Sequence, residues 1–222
     1  MADSISSRLA EGRTWIRTRP SRTTAGRSPL GNGQNLRYGI SETYLGDPVR
    51  IPVTIINGER PGPTVFLSAA AHGDELNGIE VVREVAFEWD LDDLAGTIVC
   101  LPVLNVPGLL TQQRYLPIYD RDLNRSFPGD PTSTSAKRMA DAIFRNFIEP
   151  CDLGMDFHTS TRGRTNALHV RADTVSRLAY AFGTSIIIDG AGSDGTLRGK
   201  RLGRASRRSR SRWVRPTGSS GR

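Results

Sequence analysis

The sequence predicts an α/β fold: a mostly parallel or mixed sheet flanked by helices. Apolar runs of strand length alternate along the chain with amphipathic segments of helix length, the pattern of βαβ units. Thr64–Ala71 is apolar almost throughout, as expected for a strand buried on both faces. Asn77–Trp89 then places its apolar side chains at helical spacing. Sheets of this kind bind ligands beyond the carboxyl ends of their strands.

The other elements are predicted in the same way. Further strands are expected at Val49–Ile56, Thr97–Leu104, Leu153–Phe157, Ala167–Arg171 and Ser185–Ile188, and further helices at Ser135–Phe147 and Asp173–Phe182. Asp173 is the expected cap of the last helix, and Asn57-Gly58 and Pro61–Pro63 are expected turns. Residues 105–134 form a long connection with four prolines, and connections this long inside compact domains are usually functional.

Composition divides the chain into three parts. We expect a loose lead-in at 1–47, one α/β domain at 48–197 and a basic tail, disordered or out of frame, at 198–222. The tail holds ten Lys/Arg and no Asp/Glu, so the net charge of +7 comes from the tail and the rest is mildly acidic. The tail could contact phosphates, but it has one aromatic residue and no recognisable motif, so a nucleic-acid partner is the weakest interpretation.

Other features exclude further classes of protein. No apolar stretch approaches 18 residues, which predicts no transmembrane helix and no membrane partner. The N-terminus lacks the apolar core of a secretory signal, so we expect a cytoplasmic protein. Cys100 and Cys151 lie in or beside apolar runs and are predicted to be buried side chains rather than a disulfide or metal ligands.

Two histidines follow predicted buried strands, and one of them begins a His-x-x-Glu motif. His72 and Glu75 are three residues apart in a strand-to-helix turn, and His158 follows a different strand. Two imidazoles and a carboxylate with an open fourth position are typical of catalytic zinc, which lowers the pKa of a bound water to about 7. We therefore predict one Zn²⁺ at these three residues, although other divalent ions remain possible.

The neighbourhood of the motif leaves some roles open. Asp156 is placed to support His158 from behind, unless it faces away along the strand. His169 lies in an apolar segment and is predicted to be structural or peripheral. In the long connection, Asn124 and Arg125 offer an amide and a planar guanidinium suited to a substrate carboxylate. Arg114, further upstream, could polarise a carbonyl beside the metal.

Together these segments resemble the succinylglutamate desuccinylase/aspartoacylase family, a branch of the zinc carboxypeptidase-like hydrolases. The matching stretches appear in family order across residues 48–197: AAAHGDELNGIEVV (69–82), LPVLNVPGLL (101–110), RDLNRSFPG (121–129) and DLGMDFHTST (152–161). The resemblance implies a zinc hydrolase that cleaves the amide bond, or as in some members an ester bond, of an N-acyl amino acid or a similar small molecule bearing a carboxylate. A peptidase closer to true carboxypeptidases is a rival that the DLNRSFPG stretch fits less well.

Carried onto this chain, the resemblance implies that His72, Glu75 and His158 hold zinc and that Asn124 and Arg125 bind the substrate carboxylate. It implies, less directly, that Arg114 polarises the scissile carbonyl. The spacing from Arg114 to the DLNR stretch is looser than the other matches, which makes Arg121 a rival for that role.

The chain departs from the family pattern at its end. The family uses a glutamate after the second histidine as general base, and no glutamate follows Glu149 here. We therefore expect the last strands to be missing, with an unpaired sheet edge and poor stability. An alternative function is a catalytically inactive zinc-binding remnant, because losing general acid–base catalysis costs roughly 10²–10⁴-fold in rate.

Residues 198–222 have the Arg-, Ser-, Gly- and Pro-rich composition that a GC-rich gene gives when it is read out of frame. With permitted codons, the shifted frame over Ser206–Arg212 encodes an apolar strand leading into a glutamate. The hypothesis is tested by the nucleotide sequence of the gene, which must be able to encode that strand.

Overall fold

A computed structural model describes residues 33–43, 45–117, 119–160, 167–172, 177–190 and 192–199. The strands are β1 (Gly33–Glu42), β2 (Pro48–Asn57), β3 (Arg60–Ala69), β4 (Ala95–Leu101), β5 (Leu153–Phe157), β6 (Val170–Ala172) and β7 (Ile187–Asp189). The helices are α1 (Asn77–Phe87), α2 (Val106–Leu110), α3 (Ser135–Ile143) and α4 (Arg177–Ala181). A 3₁₀ turn lies at Leu123–Arg125, and a π-helical turn at Phe144–Ile148 continues α3. Most of the expected lead-in and nearly all of the basic tail lie outside the described residues.

Five strands form one mixed sheet in the order β1-β2-β4-β3-β5. The β1–β2 and β2–β4 pairs are antiparallel, whereas β3 pairs in parallel with both β4 and β5. β6 and β7 form a separate two-stranded parallel sheet. The predicted α/β class, with a parallel or mixed sheet and flanking helices, is confirmed.

Helices cover both faces of the larger sheet. On one face, α1 buries Val82, Val85 and Ala86 in a cluster with Leu67 of β3. On the other face, α3 and the π-helical turn bury a second cluster around Phe66, which includes Met139, Ala140, Ile143, Phe144 and Phe147. Because successive side chains of a strand point to opposite faces, β3 contributes to both clusters, as its continuous apolar run predicts.

Three local predictions differ from the structure. No strand was expected before Val49, but β1 occupies Gly33–Glu42. It is an edge strand in which only Ile40 is buried, so its sequence lacks the apolar pattern that predicts a strand. The expected turn at Pro61–Pro63 is wrong, because β3 begins at Arg60 and a register shift before Thr64 accommodates the prolines.

The third difference is the short helix α2, which forms within the residues predicted to be a long connection. Asn105 caps it by accepting a hydrogen bond from the Gly108 backbone at 2.9 Å. Five residues are too few to show helical periodicity. The other expected elements occur, shifted at their ends, and Asp173 lies outside the described residues.

The predictions about the cysteines and about membrane-spanning helices can be compared with the structure. Cys100 and Cys151 are both buried, as predicted. Within the described ranges, no helix is both long enough and apolar enough to cross a bilayer. The cytoplasmic location stays a prediction.

Candidate metal centre

The ends of β3 and β5 bring the two predicted histidines together. These strands are parallel neighbours with Ala69 paired to Phe157, so both chains leave the sheet at the same edge. His72 follows three residues after β3 and His158 directly after β5. Their ring centroids are 5.2 Å apart, across 86 positions of the sequence.

The turn that carries His72 is fixed by its surroundings. Ala70 has φ +47°, a left-handed conformation that costs free energy for a residue with a side chain. Gly73 has no room for one, since a Cβ there would lie 2.1 Å from the Gly108 carbonyl carbon. The Gly73 amide donates to the Arg114 carbonyl at 3.2 Å. The long connection therefore holds this turn in place.

Glu75 lies between the two histidines and is only 3% exposed. Its Oε1 is 2.8 Å from His72 Nδ1, and its Oε2 is 2.8 Å from His158 Nδ1. The Thr159 backbone amide donates to Oε2 at 3.0 Å. The carboxylate is thus oriented so that each oxygen faces one imidazole.

One buried atom in this group has no hydrogen-bond partner. His72 Nδ1 lies 2.8 Å from Glu75 Oε1, but not in a direction that makes a hydrogen bond. Buried polar atoms are almost always hydrogen-bonded, so this nitrogen needs another partner. Ligand atoms of His72, Glu75 and His158 all lie within 4.8 Å of one another. Two imidazoles and a carboxylate converging in this way fit a divalent metal ion, and their chemistry suits zinc.

A second carboxylate lies behind each histidine. Asp122 Oδ1 is 3.3 Å from His72 Nε2, and Asp156 Oδ2 is 2.9 Å from His158 Nε2. Metal-bound histidines commonly donate their other ring N–H to a carboxylate, which fixes the tautomer and the ring orientation. Both histidines therefore present Nδ1 to the shared site and Nε2 to an acid.

These carboxylates set the electrostatics of the group. Burial lowers the pKa of His158, but Asp156 and Glu75 outweigh this and raise it to about 10. The pKa of His72 is also raised, because Asp122 and Glu75 outweigh burial. Burial raises the pKa of Glu75, yet the two histidines hold it well below its usual range. The site is therefore one where positive charge is strongly favoured.

Of the two rival arginines, Arg114 is the one beside the donors. Its Nη1 donates to Glu75 Oε1 at 2.6 Å, and its Nη2 is 3.3 Å from His72 Nε2. Burial lowers the pKa of Arg114, but the Glu75 carboxylate outweighs it and leaves the pKa raised. Arg121 is exposed and lines a neighbouring cleft instead.

That cleft has a volume of about 390 Å³ and is rich in charge. It is lined by Asp120, Arg121, Asp122, Arg125, Ser126, Ser133, Thr134, Ala136 and Lys137. Because Asp122 also approaches His72, the cleft adjoins the candidate metal centre. A charged cleft therefore lies beside the candidate metal centre.

The sequence profile of the succinylglutamate desuccinylase/aspartoacylase catalytic domain matches residues 61–204. The chain belongs to this family. It is 35% identical over 115 residues to a protein of Halomonas elongata named N-alpha-acetyl-L-2,4-diaminobutyric acid deacetylase, a match that covers 51% of this chain and 33% of that protein. The chain thus spans about a third of the length of this relative.

Solved structures of related proteins agree. The product-bound ectoine utilization protein EutE (DoeB) of Ruegeria pomeroyi is 34% identical with a TM-score of 0.51, over 57% of this chain and 40% of that one. An aspartoacylase family protein of Mesorhizobium loti gives a TM-score of 0.68 at 21% identity, over 79% of this chain and 59% of that one, and supports the fold alone.

In this member of the family, the DLNR stretch is arranged as follows. Asp122 caps the 3₁₀ turn by accepting from the Asn124 amide at 2.8 Å. Asn124 is buried; its Oδ1 accepts from the Leu197 amide at 3.0 Å, and its Nδ2 is 3.3 Å from His158 Nε2. Arg125 is exposed, and its Nη1 donates to the Asn124 carbonyl at 2.9 Å. Asn124 therefore contacts a histidine, while Arg125 faces the cleft.

Some contacts of the donor group follow from the sequence, and others do not. Asp156 contacts His158 rather than facing away. His169 lies apart from the donor group, with Nδ1 2.9 Å from the Ala167 carbonyl. The contact of Asp122 with His72 was missed, although an acid that caps a turn in a candidate binding loop was a usable signal. The contact of the Thr159 amide with Glu75 could not be predicted from sequence, because every residue except proline supplies a backbone N–H.

Proposed function

We propose that this chain is the catalytic part of a zinc-dependent deacylase that cleaves the amide bond of an N-acyl amino acid, with esters as possible substrates. The observation that carries the proposal is the buried, unbonded His72 Nδ1 facing the carboxylate of Glu75. In the proposal His72, Glu75 and His158 hold one Zn²⁺. A zinc ion with an open coordination position polarises a carbonyl and lowers the pKa of a water to about 7.

The chain's own residues would bind and orient the substrate. Arg114 lies beside the donors, where its guanidinium can donate to the oxygen of the scissile carbonyl as negative charge develops there. To do so it would exchange its contact with Glu75 for one with the substrate.

The substrate class is proposed from the cleft and from the relatives. Arg125 lines the cleft together with Arg121 and Lys137, so a carboxylate entering it meets three cations. Asp120 and Asp122 give the same cleft two anions. An amino acid with both an anionic and a cationic group fits this lining, and the Halomonas relative is named for such a substrate, N-alpha-acetyl-L-2,4-diaminobutyric acid.

A second candidate function is zinc binding without catalysis. The observation that favours it is that Asp122 and Asp156, the carboxylates behind the two histidines, are both engaged with imidazole nitrogens. Asp122 also lines the cleft, but its Oδ1 is the oxygen that faces His72 and accepts from the Asn124 amide. In this candidate the donor group binds the ion and no proton-transferring side chain completes the site.

One assay separates the two candidates. The purified 222-residue chain is loaded with Zn²⁺ and incubated with N-acetylated amino acids, including N-α-acetyl-diaminobutyrate and N-acetyl-aspartate, and free amine is measured. The deacylase proposal predicts amine release that a chelator abolishes and that His72→Ala lacks. Zinc uptake without amine release from any substrate supports the non-catalytic candidate and contradicts the first.

A further inference from the structure

A buried serine in β3 is connected to the candidate metal centre by a chain of hydrogen bonds. Ser68 is fully buried, and it is the one hydroxyl in the otherwise apolar run that follows Thr64. Its Oγ donates to Asp156 Oδ1 at 2.7 Å. Ser68 and Asp156 are directly paired in the parallel β3–β5 ladder, so the backbone register fixes this contact.

The Asp156 carboxylate, held by Ser68, also contacts His158. Its other oxygen, Oδ2, lies 2.9 Å from His158 Nε2. Asn124 also approaches Nε2, but its Oδ1 is taken by the Leu197 amide, so it presents its NH₂ group there. An NH₂ group can only donate, so Asn124 would bond to the tautomer with a bare Nε2, whereas the shorter contact with Asp156 favours the tautomer with an N–H at Nε2.

We propose that Ser68 is a positioning residue for the metal centre: it holds the Asp156 carboxylate so that His158 carries its proton on Nε2 and presents Nδ1 as the ligand atom. The proposal rests on the metal site proposed above. Nδ1 already points at the centre, 2.8 Å from Glu75 Oε2. Without the Ser68 hydroxyl, the carboxylate can rotate and the other tautomer becomes accessible.

The test measures Zn²⁺ affinity of the full chain by competition with a chromophoric chelator. Ser68→Ala is expected to weaken Zn²⁺ binding roughly tenfold, and Asp156→Asn roughly 10–100-fold, the range for partners of metal-bound histidines. In the Asp156→Asn background, adding Ser68→Ala is expected to have no further effect, since the two residues act in one chain. Ser68→Thr, which keeps a hydroxyl, is expected to restore affinity.

A matched control comes from the same sheet. Thr54 is also buried, and its hydroxyl donates to Asn35 Oδ1 at 2.6 Å, with no contact to the centre. Thr54→Val therefore deletes a comparable hydrogen bond and is expected to leave Zn²⁺ affinity unchanged. If the substitutions acted by loosening the sheet in general, Ser68→Ala and Thr54→Val would weaken Zn²⁺ affinity equally, and that result overturns the proposal.

A spectroscopic readout reports the tautomer directly. With ¹⁵N-histidine labelling, the zinc-loaded wild type is expected to show His158 protonated on Nε2, and Ser68→Ala a mixture of tautomers. If Ser68→Ala does not fold, Ser68→Cys, which replaces the hydroxyl with a weak donor, carries the same test, and unchanged affinity with an unchanged tautomer there overturns the proposal. A wild-type chain that takes up no Zn²⁺ overturns the metal site itself, whereas zinc binding that ignores Ser68→Ala overturns this inference alone.

Discussion

Glu75 and His158 are 83 positions apart in the chain, yet Glu75 Oε2 lies 2.8 Å from His158 Nδ1. The other oxygen of the same carboxylate lies 2.8 Å from His72 Nδ1. A buried anion thus joins the ends of two parallel strands through two imidazoles. The arrangement places negative charge where two imidazole Nδ1 atoms converge, which favours positive charge at this point.

Removing the charge of Glu75 is expected to destabilise the metal-free protein. Glu75→Gln removes the buried carboxylate shared by Arg114 and His158. Since these partners are 34% and 35% exposed and His158 keeps Asp156, we expect a loss of about 2 kcal/mol, the value of a hydrogen bond to a charged group. Urea denaturation in the presence of a chelator measures the free energy of unfolding. Glu80→Gln is the control, because Glu80 and its partner Arg83 are 72% and 57% exposed and their pair contributes little. Equal effects of the two substitutions would contradict a structural role for the buried carboxylate.

Much of the fold was predictable from local pattern. β3 and α1 were predicted because continuous apolar runs and helical periodicity are local properties, and both were found with small shifts at their ends. β1 was not predicted, since an edge strand with one buried side chain has no apolar pattern and forms by pairing with β2. The start of β3 was mistaken for a turn because prolines tolerated beside a register shift cannot be told from turn prolines in sequence.

The candidate site was likewise predictable from sequence only in part. His72, Glu75 and His158 could be proposed from their positions after strands, and the structure brings them together. The contacts that orient them could not, because they depend on register: Ser68 faces Asp156 only through the β3–β5 pairing. The choice between Arg114 and Arg121 also needed the path of the long connection, which sequence spacing does not determine.

Arg114 is expected to compete with metal for Glu75. Arg114→Gln removes a hydrogen-bonded positive charge from the donor group and should tighten Zn²⁺ binding roughly tenfold, the value of one hydrogen bond to a charged group. If the chain is active, the same change should lower kcat about 100-fold, because a donor to the developing oxyanion is lost. Chelator competition and steady-state kinetics measure the two effects.

Arg121→Gln is the control for this experiment, since Arg121 is exposed and lines the cleft. We expect it to leave Zn²⁺ affinity unchanged. Weaker zinc binding by Arg114→Gln, or a rise in affinity with Arg121→Gln as large as that with Arg114→Gln, would argue against the assignment of Arg114 to the metal centre.

Both cysteines are expected to resist alkylation in the folded chain. Cys100 and Cys151 are 0% and 2% exposed, and burial raises the pKa of the Cys100 thiol to about 12, so little reactive thiolate forms near pH 8. Mass spectrometry after iodoacetamide treatment should find neither labelled in buffer and both labelled in denaturant. Rapid labelling of Cys100 in buffer would mean that the central strand β4 is not packed as described.

The outer edge of β5 is expected to promote association. Within the described ranges β5 pairs with β3 alone, and Leu153 on it is 45% exposed. An uncovered edge strand with apolar side chains recruits other strands, and a lysine there opposes this. Leu153→Lys should reduce concentration-dependent light scattering. Leu110→Lys, which changes a more exposed leucine on α2 away from any strand edge, should not. Equal behaviour of the two variants would show that association does not proceed through β5.

The most direct test of the metal centre is isothermal titration calorimetry, in which Zn²⁺ is titrated into the purified chain after a chelator has removed bound metal. The account predicts one bound ion per chain, with His72→Ala and Glu75→Gln both abolishing high-affinity uptake and His169→Ala leaving it intact. A wild-type chain that binds no zinc, or zinc uptake that persists in His72→Ala and Glu75→Gln but is lost in His169→Ala, would contradict it.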